Sequence, residues 1–212
     1  MEKKIKILNL YAGIGGNRKE WDNDKIEVTA VEINPDVANI YQDFFPNDKV
    51  IVGDAHAYLL GHYKEYDFIW TSPPCPTHSR MQKCNIRAEI KYPDMKLYQE
   101  IILLQHWFKG KYVVENVIGY YDPLIRPQEA SRHYFWSNFL IPTITIKKLP
   151  GFIETSKEDL MDWLGIYITK NIYDGSHDEK KVLRNCVHPK LGLHVFDCAF
   201  KSKQETLFLG DD

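Results

Sequence analysis

A chain of 212 residues with 44% apolar and 26% charged positions has the length and composition of one well-cored soluble domain with an appendage. Its formal charge of -2 excludes a general polyanion binder, so any contact with nucleic acid has to come from a local basic patch. Four cysteines are too few for a disulfide scaffold and no apolar run reaches bilayer length, so the chain reads as cytoplasmic, with no membrane partner.

Up to residue 140 strand-like and helix-like segments alternate, which predicts a doubly wound, mostly parallel α/β sheet. Ile5 to Leu10 reads as the first strand. The glycine-rich turn Gly13-Ile14-Gly15-Gly16 follows, then a short helix to Trp21 and a second strand from Glu27 to Ile33. Asn34-Pro35 opens a helix: the asparagine caps, the proline fits the first turn, and Val37, Ile40, Tyr41 and Phe44 share a face. A third strand at Lys49 to Val52, a helix after Asp54 and a fourth strand from Tyr66 to Thr71 come next. Tyr92 to Phe108 is the longest amphipathic helix and leads into a fifth strand, Lys111 to Val114. Beyond it the regularity fades. Residues 141–181 read as a small irregular insert or reduced second lobe, with a helix candidate at Lys157 to Leu164. Residues 182–212 read as a segment returning to the domain formed by 1–140, helical from Pro189 to Phe200 and frayed at its end.

Chemistry gathers at the carboxyl ends of these strands, the ligand edge of such sheets. Tyr11-Ala12-Gly13-Ile14-Gly15-Gly16 lets backbone approach a ligand closely, and Glu32 ends the second strand where an acid accepts ribose hydroxyls. Asp54, after the third strand, can receive an adenine amino group. The short Gly-x-Gly-Gly form suits a phosphate-free cofactor such as S-adenosylmethionine better than a pyrophosphate, and a nicotinamide cofactor stays open on these residues alone.

The fourth strand runs into Thr71-Ser72-Pro73-Pro74-Cys75-Pro76. Two prolines hold the thiol of Cys75 in a defined direction, and cysteine is the one ordinary side chain that attacks an electron-poor ring carbon near neutral pH. Glu115 ends the fifth strand and would face that thiol if the strands neighbour each other. Cys186, His188, His194 and Cys198 do not have the spacing of a zinc site, and no metal is expected. Cys84 reads as a bystander, and His56, His62, His106 and His133 read as structural.

In these residues the chain resembles the DNA cytosine-5 methyltransferase family. Asn9 to Gly16 is similar to its cofactor loop, Pro73-Pro74-Cys75 to its nucleophile motif and Glu115-Asn116-Val117 to its acid motif. Gln128-Glu129-Ala130-Ser131-Arg132 resembles its Gln-x-Arg-x-Arg, matching at Gln128 and Arg132 and departing at Ala130. Arg184-Asn185-Cys186-Val187 looks like a variant of the closing Gly-Asn-Ser-Val motif. Amino-group methylases of DNA also carry Ser-Pro-Pro, but an aromatic residue follows there, and the cysteine here favours attack on carbon.

The resemblance implies a Rossmann-like S-adenosylmethionine-dependent methyltransferase fold. It implies that Tyr11, Ala12, Gly13, Ile14, Gly15, Gly16, Glu32, Ile33, Asp54, Ala55, Pro73, Asn185 and Val187 hold the cofactor. Cys75 would add to C6 of a flipped cytosine, Glu115 donate a proton to N3, and Arg132 hold O2 and orient the glutamate, with Pro74 shaping the pocket and Asn116 bracing the loop. The basic loop after the nucleophile, with Ser79, Arg80, Gln82, Lys83 and Arg87, is the expected contact with double-stranded DNA. The stretch 141–181 is short for a target-recognition region, so sequence reading would be crude or supplied by a partner chain. Two other readings stay open: a transfer-RNA cytosine methyltransferase of the same family, and one half of a split enzyme or an inactive reader.

Overall fold

The computed structural model describes residues 3–84, 91–147, 149–152, 154–170, 172 and 178–200. The strands are β1 (Ile5–Leu10), β2 (Ile26–Glu32), β3 (Lys49–Val52), β4 (Phe68–Thr71), β5 (Lys111–Val117), β6 (Gln128–Ala130) and β7 (His133–Ser137). They form one mostly parallel seven-stranded sheet of order β3-β2-β1-β4-β5-β7-β6, in which β7 runs antiparallel to both β5 and β6. Strand order reverses between β1 and β4, and a doubly wound sheet opens its ligand crevice at that reversal.

Helices cover both faces: α1 (Pro35–Phe44), α2 (Ala55–His62), α3 (Met81–Cys84), α4 (Lys96–Trp107), α5 (Lys157–Leu164), α6 (Glu179–Arg184) and α7 (Pro189–Phe200). Alternation along each strand divides the core. Ile7, Val28, Phe68, Trp70 and Val113 pack on one side with Leu191, Val195 and Phe196 of α7. Leu8, Leu10, Val31, Ile69 and Val114 pack on the other with Leu59 of α2 and Leu97, Ile101 and Leu104 of α4. Burial on both faces is why these strands read as near-continuous apolar runs. Asn34 caps α1 by accepting from the Asp36 and Val37 amides, and Asp54 caps α2 in the same way through His56 and Ala57.

Three expectations need correction. The residues after the glycine turn form no helix; they make successive tight turns, Gly15 N to Ala12 O, Arg18 N to Gly15 O and Trp21 N to Arg18 O. Long-range demands decide this. Asn17 turns in to exchange hydrogen bonds with Asn9, and Arg18, 2% exposed, forks onto Asp48 at 2.9 and 3.0 Å. The long helix begins at Lys96, not Tyr92, and β5 continues to Val117, so Glu115 lies within the strand. The hairpin β6–β7 was not anticipated as strands at all.

α5, α6 and described residues between them pack against the glycine turn after β1. Leu160 and Leu164 of α5, Ile166, Ile168, Ile172, and Val182 and Leu183 of α6 share one cluster with Ile14 of the glycine turn and Val37 and Ile40 of α1.

The Arg18–Asp48 pair also receives the Tyr41 hydroxyl at 2.9 Å, and both charged side chains are nearly sealed from water. Removing one partner strands the other charge. Asp48→Ala is expected to lower unfolding free energy by about 3–5 kcal/mol, measured by urea denaturation, because the guanidinium is left buried without a counter-charge.

Candidate active site

Every strand that the chemistry needs ends on one edge. On the cofactor side, three glycines of the turn have left-handed or crowded backbones for different reasons. Gly13, at φ 54°, has open space where a Cβ would stand. At Gly15, φ 81°, a Cβ would come within 2.3 Å of the Phe45 ring, and at Gly16 within 2.5 Å of the Val187 carbonyl. Gly15 and Gly16 therefore serve packing, and Gly13 leaves the backbone bare toward the crevice.

Glu32 holds both of its carboxylate oxygens in place, accepting from the Gly13 amide at 2.9 Å and from the Asn34 amide at 3.0 Å. Asp54 keeps its carboxyl below the usual range because the Ala57 and His56 amides donate to it, so it is an acceptor at neutral pH. Ile33 is 69% exposed at the end of β2, an apolar surface left at the same edge. The Val187 contact brings the closing segment, Asn185 to Val187, back beneath the turn, and Ala55 begins α2 beside Asp54. Bare backbone, fixed acceptors and an exposed apolar side chain fit a phosphate-free adenosine cofactor.

On the reactive side, β4 and β5 pair in parallel with Thr71 opposite Val114. Pro73 is buried, Pro74 exposed and Cys75 half-buried. Asn116, itself buried, donates from its side-chain nitrogen to the Pro73 carbonyl at 3.0 Å and so ties the nucleophile loop to the acid strand. Burial, and secondarily the negative charge of Glu115, push the Cys75 thiol up to about 11. The free protein thus holds Cys75 as a thiol at neutral pH, in contrast to the ready fraction of thiolate that an unperturbed cysteine keeps.

Glu115 is 7% exposed. Among the described residues the His133 imidazole faces it, with Nε2 3.7 Å from the carboxylate oxygen. Arg132 is not in that position. Ser131 and Arg132 form the two-residue turn of the β6–β7 hairpin at φ 44° and 73°, and Arg132 is exposed there with no ion pair among the described residues. Gln128 is spent on structure: its side chain donates to Ser137 Oγ and the Phe139 carbonyl and accepts from the Ile141 amide.

The loop after Cys75 lies against residues 119–121. Ser79 bridges to Gly119, the Tyr120 amide donates to the His78 carbonyl, Arg80 Nε donates to the Gly119 carbonyl, and Gln82 closes on the Pro76 carbonyl. Lys83 sits 5.7 Å from the Tyr120 ring. Beside them opens a cleft of about 280 Å³ lined by Arg80, Lys83, Tyr120, Tyr121, Asp122 and Tyr134. Arg87 lies outside the described residues.

Two histidines read as structural have partners at the site. His133 faces Glu115, and His56 bonds Glu100, a buried carboxylate of α4 that also accepts from the Tyr11 and Thr71 hydroxyls at 2.6 Å. Glu100 therefore joins the glycine turn to the end of β4. No local motif marks these residues; their partners stand on other elements.

The family model for C-5 cytosine-specific DNA methylase matches residues 5–123, more than half of the chain. A mutant of DNMT2 from Spodoptera frugiperda shares the fold over 93% of this chain and 100% of that one, with a TM-score of 0.59 and 14% identity. The PH0226 protein from Pyrococcus horikoshii overlaps 55% of this chain and 51% of its own, at 23% identity and a TM-score of 0.37. A SAM-dependent methyltransferase from Agrobacterium tumefaciens overlaps 57% and 41%, at 14% identity and 0.42. The chain spans about half the length of the latter two or less. No curated protein sequence matches significantly.

Alkylation of Cys75 by iodoacetamide, followed by peptide mass, is expected to be slow at neutral pH and to rise toward about 11. Glu115→Gln removes the neighbouring negative charge, so the curve should move to lower pH. An unmoved curve would show that the carboxylate does not act on the thiol.

Proposed function

The chain belongs to the C-5 cytosine-specific DNA methylase family, whose members are S-adenosylmethionine-dependent, and from that premise we propose that it methylates cytosine C5 in double-stranded DNA through a Cys75 adduct at C6. The observation that supports this reading most is the half-buried Cys75 thiol held beside Glu115 by the β4–β5 pairing and the Asn116 brace. The cofactor supplies an electrophilic methyl group to a ring carbon that the protein must first make electron-rich.

The residues present divide that task. Cys75 gives up its thiol proton to solvent and, as thiolate, forms the S–C6 bond, and the ring electron pair moves toward N3. Glu115, protonated, gives N3 its proton and neutralises the charge that develops there. A Glu115 that carries a proton no longer repels the thiolate, so base binding and thiol activation reinforce each other. After C5 has gained its methyl group, loss of the C5 proton to water returns electrons to the ring and expels the thiolate. A base inside a duplex cannot reach Cys75, so the target is flipped out at about a few kcal/mol. Ser79, Arg80, Gln82 and Lys83 stand on the loop that would meet the backbone, beside the aromatic cleft of Tyr120 and Tyr134. Sequence reading by 141–181 is proposed to be limited to a very short target site unless a partner chain adds to it.

Oligonucleotides bearing 5-fluorocytosine, which cannot lose the C5 substituent, are expected to trap a covalent complex with the protein in the presence of labelled S-adenosylmethionine. Cys75→Ser should abolish the complex while retaining cofactor. Duplex DNA and structured RNA run side by side decide the polymer: trapping on RNA alone would replace the DNA reading with the transfer-RNA one, and trapping on neither would sink both.

A further inference from the structure

The acid that must protonate N3 sits in a strand where the expected arginine does not reach it. Arg132 is lifted out at the hairpin tip, and Ala130, buried, stands where the family motif has its other arginine. Across the hairpin, directly opposite Ala130, is His133. In the β5–β7 ladder His133 is opposite Val117, two places along from the Glu115–Phe135 pair, so His133 and Glu115 stand on the same face as diagonal neighbours.

The imidazole is oriented from both ends. Nδ1 donates to the Ser131 carbonyl at 3.1 Å, which leaves Nε2 turned to the carboxylate at 3.7 Å. The Ser131 carbonyl is presented by a turn with two consecutive non-glycine residues at positive φ, a conformation that persists where surrounding structure enforces it. The turn that holds His133 toward the acid also carries Arg132 away.

We propose that His133 is the positioning residue of Glu115, sharing with it the single proton that Glu115 delivers to cytosine N3. The assignment rests on the cytosine-5 reading of the site. With Nδ1–H committed to Ser131, a proton on Nε2 gives an imidazolium beside a carboxylate, and a proton moved to the carboxyl gives neutral imidazole beside a carboxylic acid. The pair has two adjoining places for one donatable proton, where a lone carboxylate has no neighbour from which to draw it. When Cys75 sulfur bonds to C6, N3 receives the proton from the Glu115 oxygen. The carboxylate so formed is left beside imidazole. When the adduct breaks down, the N3 proton returns to the pair. No electrons leave the system. Among the described residues the other titratable group coupled to Glu115 is Cys75 on the loop after β4; Arg132 is exposed in the hairpin turn, and Tyr134, which follows His133, interacts with Glu129 and Arg80.

The test uses the full chain, saturating cofactor and a cytosine-containing duplex, with single-turnover methyl transfer read from about pH 5.5 to 9. His133→Gln keeps a hydrogen-bonding side chain that cannot share a proton. It is expected to lose about 100-fold in kcat at the alkaline end with KM unchanged, and far less at the acidic end, where solvent protonates Glu115 directly. His133→Ala should regain rate when imidazole is added, and His133→Gln, its space filled, should not. A His133→Gln rate within a few-fold of wild type, a loss uniform across pH, or no rescue of His133→Ala overturns the assignment. Trapping of wild-type Cys75 on 5-fluorocytosine in the same preparation separates the two levels. If wild type forms the adduct and the variants behave as wild type, the assignment alone fails; if wild type forms none on any polymer, the reading of function fails and carries the assignment with it.

Discussion

Parallel pairing of β4 with β5 governs where chemistry can take place in this molecule. With Thr71 opposite Val114, the two strands reach the crevice level with each other, so the residue after Val114 and the loop after Thr71 meet without any long side chain having to span the gap. Glu115 gains its direction from the pleat, because its backbone is held on the other side by Phe135 of β7. Cys75 gains its direction from two prolines and from the Asn116 hydrogen bond to Pro73. Backbone pairing positions both groups more firmly than flexible side chains would. The same closeness has an electrostatic cost, since a half-buried thiol beside a carboxylate gives up its proton reluctantly.

The cofactor edge depends on an equally tight approach, made by backbone instead of charge. Gly16 against the Val187 carbonyl and Gly192 of α7 against Asn17 bring the last part of the described chain onto the turn that follows β1. A Cβ at Gly192 would lie 2.2 Å from the Asn17 carbonyl, so the helix could not dock with any larger residue there. Glu100 adds a polar tie, drawing Tyr11 of the turn, His56 of α2 and Thr71 of β4 to one carboxylate. Whatever sits on the glycine turn is thus one buried residue away from the strand that carries the nucleophile.

Legibility in the sequence followed how local each determinant is. The five parallel strands and the Asn34 cap of α1 are written in contiguous apolar runs and a single capping residue, and they stood where the pattern put them apart from one to three residues at the ends. The stretch from Asn17 to Trp21 reads as a helix in sequence but is not one, because its shape answers to Asp48, thirty residues along from Arg18, and to Asn9. The β6–β7 hairpin was invisible for two reasons: β6 is only three residues long, and Ser131-Arg132 replaces the Asn-Gly or Asp-Gly that signals such a turn. With β7 unseen, a histidine diagonal to Glu115 could not be connected with it. The places of Cys75, Glu115 and the glycine turn along the chain could be read because each lies on or just after a strand that was itself readable.

The region between the hairpin and α6 shows how the small size of the chain bears on its proposed specificity. Its apolar residues, Leu160, Leu164, Ile166, Ile168 and Ile172, are used against Ile14, Val37 and Ile40, beneath the cofactor turn. Burying them there removes them from any surface that could meet a base pair, and what α5 leaves outward is acidic, with Glu158, Asp159 and Asp162 along a short helix. Acidic side chains repel a phosphate backbone. The groups suited to meet one, Arg80 and Lys83, stand on the other side of the site next to Tyr120 and Tyr134, on a loop that the contacts of Ser79, His78 and Arg80 with residues 119–121 already hold in place. Under the proposed function, recognition assembled from that loop would cover the target base and its immediate neighbours, which is the physical basis for proposing a short site.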